Sequence, residues 1–358
     1  MNAIVVLCLL LKVAVSIDPI PDADDRLHVY ALPVGQGDCT VIQCPRGQGD
    51  PRKGTVSIID AGASRSTNKL GMKEKDILDF LAGTRLNFVV ITHSDLDHRS
   101  YINAILQSYG KTHLQKTNIK KTFPVYHSCA WSSYRIKSEY AKSKEVSKCA
   151  GVKKCKKKLK LCPHSDNFGP TLSFVASAYG GCQGKNKKAA NEDSIISKIT
   201  YAGRSTLITG DFELKDDKMT TFLQKANGDL KSDIYRLSHH GASNKKANQI
   251  QFLDAVGASY VFSSSGYKYG HPRCQIYEYY YKKKLLDIVA KHPYTCFQSS
   301  KKHSFEPLEI RQPIYVTHII RKNSFLFGSD IKSYYLIKFN INPLGHICVE
   351  FIHMGDEK

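Results

Sequence analysis

The chain has 358 residues, 42% of them hydrophobic, and a formal net charge of +20. That length suits one large domain or two ordinary ones, and the apolar fraction excludes global disorder. The charge favours polyanionic partners such as nucleic acid, anionic glycans or membrane phosphates, although Lys runs without interleaved aromatics also serve plain solubility.

Residues 1–16 contain an apolar run, Ile4 to Leu11, then Lys12 and the small-residue pattern Ala14-Val15-Ser16. This reads as a secretory signal cleaved near Ser16, so the mature chain is expected to be secreted and extracellular. No later stretch has 18 consecutive apolar residues, so no further membrane span is expected. Of 11 cysteines, Cys8 falls in the signal and ten remain, an even number that allows up to five disulfides. Cys129, Cys149, Cys155 and Cys162 crowd one Lys-rich stretch. A structural zinc site there is the competing reading, but no paired CxxC spacing occurs.

Residues 17–26 read as a linker rich in Pro and Asp. Strands are predicted at Leu27–Leu32 and Thr40–Gln43, around the turn Val34-Gly35-Gln36-Gly37-Asp38, and at Thr55–Ile59 before Asp60-Ala61-Gly62. Lys73–Leu81 has helical apolar spacing, and Leu86–Ile91 is a nearly continuous apolar run that suits a strand buried on both faces. Residues 128–190 turn rich in Lys, Ser and Cys and read as an insertion stapled by disulfides. A hairpin is predicted over Ser194–Thr209, then a helix near Asp217–Gln224, a strand at Asp233–Leu237, a helix at Ala247–Val256 and a strand at Ser259–Ser263. Tyr277–Ala290 looks helical, and residues 291–358 form a β-rich extension. Alternating strands and helices make the class α/β or mixed α+β.

The densest chemistry is His93-Ser94-Asp95-Leu96-Asp97-His98, directly after the buried strand. Alternate residues of an extended segment point the same way, so His93, Asp95 and Asp97 can converge, and the turn into the next helix lets His98 join them. Imidazole and carboxylate are ligands for zinc, manganese and iron. A helix cap would explain Asp97 alone and none of the other three. Further ligands are expected where an apolar strand runs into a short turn: Thr209-Gly210-Asp211, Ser238-His239-His240-Gly241 and Tyr269-Gly270-His271-Pro272.

The order HxDxDH, TGD, HHGA-S, YGHP resembles the metallo-β-lactamase superfamily, most closely the hydrolase domain of ComEC/Rec2-type competence proteins. Val34 to Asp38, Ile58 to Gly62 and Asn191 to Ser194 extend the likeness. It covers about residues 27–127 and 190–290 and implies an αββα sandwich over 27–290. By resemblance, His93 binds a first metal, Asp97 and His98 a second, Asp211 bridges them, and His271 completes the second site. His240, or alternatively His239, lies near the scissile group as ligand or proton donor, and Asp60 supports the metal loop from behind. Asp95 stands where the family has its second His. No third His stands out for the first metal and Asp193 is a weak candidate for the place, so that site is expected to be weak or empty.

Two divalent ions, zinc or manganese, would lower the pKa of a shared water and polarise a phosphoryl or carbonyl oxygen. The expectation is a secreted hydrolase using metal-bound hydroxide, with His240 and Asp97 catalytic and a phosphodiester as substrate. Lys153, Lys154, Lys156, Lys157 and Lys158 would gather nucleic acid or another polyanion. A catalytically inactive binding or matrix protein, and a small-ester or lactone hydrolase, are the alternatives.

Overall fold

The computed structural model describes residues 18–64, 71–163, 169–184, 187–226, 228–243, 246–267, 269–283, 296–298, 303–304, 314–321 and 331–357. The expected signal, 1–16, lies outside these residues, as does the end of the helix expected over Tyr277–Ala290.

The first sheet contains β1 (Leu27–Ala31), β2 (Gly37–Gln43), β3 (Thr55–Ala63), β4 (Arg85–Ile91), β5 (Phe123–His127) and β6 (Ala141–Glu145). The second contains β7 (Cys149–Ala150), β8 (Lys158–Lys160), β9 (Thr171–Ser177), β10 (Ile196–Tyr201), β11 (Arg204–Ile208), β12 (Ile234–Arg236) and β13 (Tyr260–Ser263). Beyond a short hairpin, β14 (Cys296–Phe297) with β15 (His303–Ser304), the tail completes both sheets. β16 (Ile314–Val316) adds to the second sheet beside β13, while β17 (His318–Arg321), β18 (Ile331–Ile341) and β19 (Ile347–Glu357) add to the first through β18 and β1.

Period-2 alternation decides how the sheets stack. On β4, Phe88 and Val90 point into a core shared with Phe174, Ile199, Ile208, Ile234 and Phe262 of the second sheet. Val89 and Ile91 point the other way, onto α1 (Glu74–Phe80) and α3 (Ile102–Thr117), through Ile77, Phe80, Ile102, Ile105 and Leu106. On β11, β12 and β13, Leu207, Tyr235 and Val261 face α5 (Asp216–Ala226), α6 (Ile250–Val256) and α7 (Cys274–Lys283). The result is helix, sheet, sheet, helix: the expected mixed α/β sandwich. Leu86–Ile91 is almost continuously apolar because β4 is covered on both faces.

Residues 128–190 run through this framework. β6 pairs with β5 along its length, and β9 pairs with β10 and buries Leu172, Phe174 and Val175. Two short helices complete the set, α2 (Leu96–Arg99) and α4 (Val152–Cys155). In the expected linker, Ile20 is buried and its N–H donates to Phe80 O at 2.8 Å. Four disulfides form: Cys44–Cys162, Cys129–Cys182, Cys149–Cys155 and Cys274–Cys296. The four crowded cysteines are therefore divided among three disulfides, which excludes a zinc site made from them. Among the described residues, the buried Cys39 forms no disulfide. Among the described residues, no helix is long and apolar enough to cross a membrane.

Candidate metal centre

β3 and β4 run parallel, as do β11, β12 and β13, so the carboxyl ends within each set share one end of the sandwich. Open α/β sheets bind ligands at such ends, and here the turns that follow deliver the polar residues. Asp60 lies near the end of β3, His93 two residues past β4, and Asp97 and His98 on α2. Asp211 follows β11, and His239 and His240 follow β12. Two glycines permit the approach. A Cβ on Gly62 would meet Arg99 N at 2.6 Å and Leu96 O at 2.7 Å, so β3 can seat α2 only without a side chain there. A Cβ on Gly210 would collide with Thr92 Oγ1, and φ of +55° already disfavours other residues.

Three imidazoles are oriented alike. His98 Nδ1 donates to Asp60 Oδ2 at 2.8 Å. His240 Nδ1 donates to the Ser264 carbonyl at 2.6 Å. His93 Nδ1 donates to Thr92 Oγ1 at 3.2 Å, and that hydroxyl donates to Asp60 Oδ2 at 2.7 Å. All three Nε2 atoms are buried and form no hydrogen bond, as is also true of Asp211 Oδ1. They face one another: His98 Nε2 lies 3.2 Å from Asp211 Oδ1, and His240 Nε2 lies 3.5 Å from Asp211 Oδ2 and 3.6 Å from Asp97 Oδ2. Two ligand sets result, His93, His98 and Asp211, and Asp97, His98 and His240. Buried acceptors without hydrogen bonds, spaced in this way, fit a divalent cation in either set.

The remaining predicted site residues are placed differently. Asp95 is 41% exposed in its side chain, and Lys188 Nζ lies on its Oδ1 at 2.8 Å. Its Oδ2 stands 3.7 Å from His93 Nε2, outside both ligand sets. His271 is buried in the cleft wall, with Nδ1 forming no hydrogen bond, and belongs to neither set. Asp193 accepts backbone N–H bonds from Cys182 and Ala190. His239 is partly exposed, donates from Nδ1 to Glu213 Oε2 at 3.1 Å, and turns Nε2 to within 3.8 Å of Asp211 Oδ2. Lys153, Lys154, Lys156 and Lys158 are exposed along α4 and β8, while Lys157 is half-buried over the Tyr126 ring at 4.7 Å. These lysines border the lateral edge of the sandwich where β6 and β8 lie, away from the strand ends that carry the ligands.

Electrostatics follow from burial and crowding. Burial, then the charge of His98, lowers His93 to about 4, so it stands neutral with an open lone pair. Burial, then the charges of His240 and Arg273, lowers His271 to about 3. Burial alone would raise the carboxyls of Asp97 and Asp211, but the surrounding histidines hold both below the ordinary range. The cleft above these groups has a volume of about 480 Å³.

Two supports of the centre were not among the predicted site residues. Arg236, at the end of β12, has no exposure to solvent. It pairs with the equally buried Asp38 at 2.8 Å, donates to the Gly210 carbonyl, and lies 3.6 Å from Asp211 Oδ1. Asn248 clamps the turn that carries the two histidines. Its Oδ1 accepts from Tyr235 OH and Ser238 N, and its Nδ2 donates to the Ser238 and Ala242 carbonyls. The clamp holds His239 and His240 at φ of +48° and +54°, where non-glycine residues are strained.

No family model matches the chain, and no curated protein matches it. Among solved structures it is similar to CmlA, a diiron β-hydroxylase from Streptomyces venezuelae, at 13% identity and a TM-score of 0.37, covering 68% of this chain and 45% of that one. It is also similar to zinc-bound PqqB from Methylobacterium extorquens, at 10% identity and a TM-score of 0.32, covering 59% of this chain and 72% of that one. This chain thus spans less than half the length of CmlA.

A sequence signal for Arg236 did exist: it is the one charged residue within the apolar run Ile234-Tyr235-Arg236-Leu237, and a charge in a buried strand needs a buried partner. Asn248 gave no such signal, because its task depends on a turn that is distant until the chain folds.

Proposed function

We propose that this chain is an exported, metal-dependent hydrolase that acts on phosphodiester bonds of a polyanion such as nucleic acid. The observation that carries the reading is the set of buried imidazole Nε2 atoms and carboxylate oxygens that face one another, without hydrogen bonds, at the floor of an open cleft. Asp97, His98, His240 and Asp211 would hold one divalent ion, zinc or manganese, and His93 with Asp211 would offer ligands to a second; His98 can serve only one of the two, because its Nδ1 is given to Asp60. Bound there, such ions supply Lewis acidity and lower the pKa of water.

The chain's own groups do the rest. Asp60 fixes the tautomer of His98, and the Ser264 carbonyl fixes that of His240. His240 is enclosed among the ligands, so we assign it to metal binding. His239 is partly exposed to the cleft and backed by Glu213, so its Nε2 is the atom placed to protonate a leaving oxygen. The basic edge at Lys153 to Lys158 would gather the polyanion. Four disulfides support an oxidising, extracellular setting.

The test is metal content by mass spectrometry together with cleavage of DNA, RNA and bis(4-nitrophenyl) phosphate, with and without chelator. Metal bound per chain and chelator-sensitive cleavage support the reading; a metal-free, inert protein overturns it. One observation favours the non-catalytic alternative, a secreted binding protein: Lys188 occupies Asp95, at the position where the family has a metal ligand.

A further inference from the structure

The cleft lining holds polar atoms that the candidate metal sets do not use. Arg273 lines it from the N-terminal side of α7, and its Nη1 is buried with no hydrogen-bond partner among the described residues. Gln36, in the loop between β1 and β2, also lines it and is 2% exposed; its Oε1 is buried with no hydrogen-bond partner among the described residues. Buried donors and acceptors are normally satisfied, and a ligand that enters the cleft would offer a partner to both. The charges of the lining add direction. Its carboxylates are Asp95, Asp97 and Asp211. Asp95 is paired with Lys188, and the other two belong to the ligand sets. Among the described residues, Arg273 therefore has no carboxylate partner in the cleft wall.

We propose that Arg273 and Gln36 form part of the substrate site: Arg273 Nη1 holds a phosphoryl oxygen, and Gln36 Oε1 accepts a hydrogen bond from an N–H or O–H of the esterified group. The cleft is thus selective for a phosphoryl ester that brings its own hydrogen-bond donor, as a nucleotide does and a bare aryl phosphate does not. Arginine suits the task because its charge is permanent and its donors are fixed in a plane that matches phosphate oxygens. The inference rests on the reading of the cleft as a hydrolytic centre, but phosphate binding tests it separately from catalysis.

The experiment uses the metal-loaded full chain. Inorganic phosphate binding is measured by calorimetry in the parent, Arg273→Ala and Arg273→Lys, with metal content by mass spectrometry for each. Arg273→Ala should bind phosphate about ten-fold or more weakly, in line with loss of a charge-assisted hydrogen bond, with Arg273→Lys in between and metal content unchanged. Gln36→Leu keeps the volume and removes the acceptor. It should narrow the ratio of kcat/KM between thymidine 4-nitrophenyl phosphate and bis(4-nitrophenyl) phosphate. A parent that binds no phosphate, or an Arg273→Ala variant that binds it as the parent does, overturns the inference. Should phosphate bind through Arg273 while no ester is cleaved, the hydrolase reading fails and the anion site stands.

Discussion

Asp60 Oδ2 accepts a hydrogen bond from His98 Nδ1 at 2.8 Å, and neither side chain has any exposure to solvent. The same carboxylate takes Thr92 N and Thr92 Oγ1, so one residue fixes both the loop after β4 and the ring that faces the cleft. Asp60→Asn preserves shape and tolerates the positive φ, yet it cannot accept from all three donors. Metal affinity should fall by about 10–100-fold, the usual effect of removing such a support. Competition with a calibrated chelator measures it; an unchanged affinity would mean that Asp60 holds only the backbone.

The neighbouring histidines should separate by readout. His240→Ala should lose most bound metal, because its Nε2 sits within 3.6 Å of both Asp97 and Asp211. His239→Ala should keep the metal and lower kcat by about 10²-fold or more, as expected for loss of a proton donor. Glu213→Gln should reproduce part of that loss. If His239→Ala releases the metal as readily as His240→Ala, the division of roles is wrong.

Lys188 bears on metal number. On the proposed reading, the Lys188 ammonium on Asp95 would leave the His93 site short of a ligand and add a positive charge nearby. We expect about one tightly held ion per chain in the parent. The double variant Asp95→His, Lys188→Ala restores an imidazole and removes the competing cation, and should raise the number towards two. Native mass spectrometry counts the ions directly. Two tightly bound ions in the parent would refute this.

Arg236 and Asp38 form an ion pair beside the candidate ligand Asp211, both without solvent exposure. Arg236→Met strands a buried carboxylate and should cost about 3–5 kcal/mol, while Arg236→Met with Asp38→Leu should recover much of it. Chemical unfolding of the metal-free forms is the appropriate measurement. A single variant as stable as the parent would show that Asp38 is protonated and that the pair contributes little.

The basic edge makes a prediction about salt. Replacing Lys153, Lys154, Lys156, Lys157 and Lys158 by Gln should weaken nucleic-acid binding and flatten its salt dependence. The slope of log K against log salt should fall by about 0.9 for each phosphate that is no longer neutralised. Metal content should not change, because these residues sit at the sheet edge. Equal binding by parent and variant at low salt would make the run a solubilising surface.

The sandwich was legible in the sequence, and so was a cluster of candidate ligands. Period-2 alternation and the run Leu86–Ile91 already specify strands covered on one or both faces, and HSDLDH packs several ligand residues into one turn, where short-range geometry alone brings them close. Composition misled at 128–190, where Lys and Cys obscured Leu172, Phe174 and Val175. Those three are buried because β10 lies beside them, and that pairing is not local.

The arrangement of the candidate site depends on contacts between distant parts of the chain. Which nitrogen of each histidine faces inward depends on Thr92, Asp60 and Ser264, and for His98 and His240 those partners are 38 and 24 residues away. Lys188 reaches Asp95 across 93 positions of sequence, and Arg236 reaches Asp38 across 198. Local spacing carries no information about such encounters. A charge finds its partner, and an imidazole its orientation, only when separate strands end at the same place and burial makes an unpaired polar atom costly.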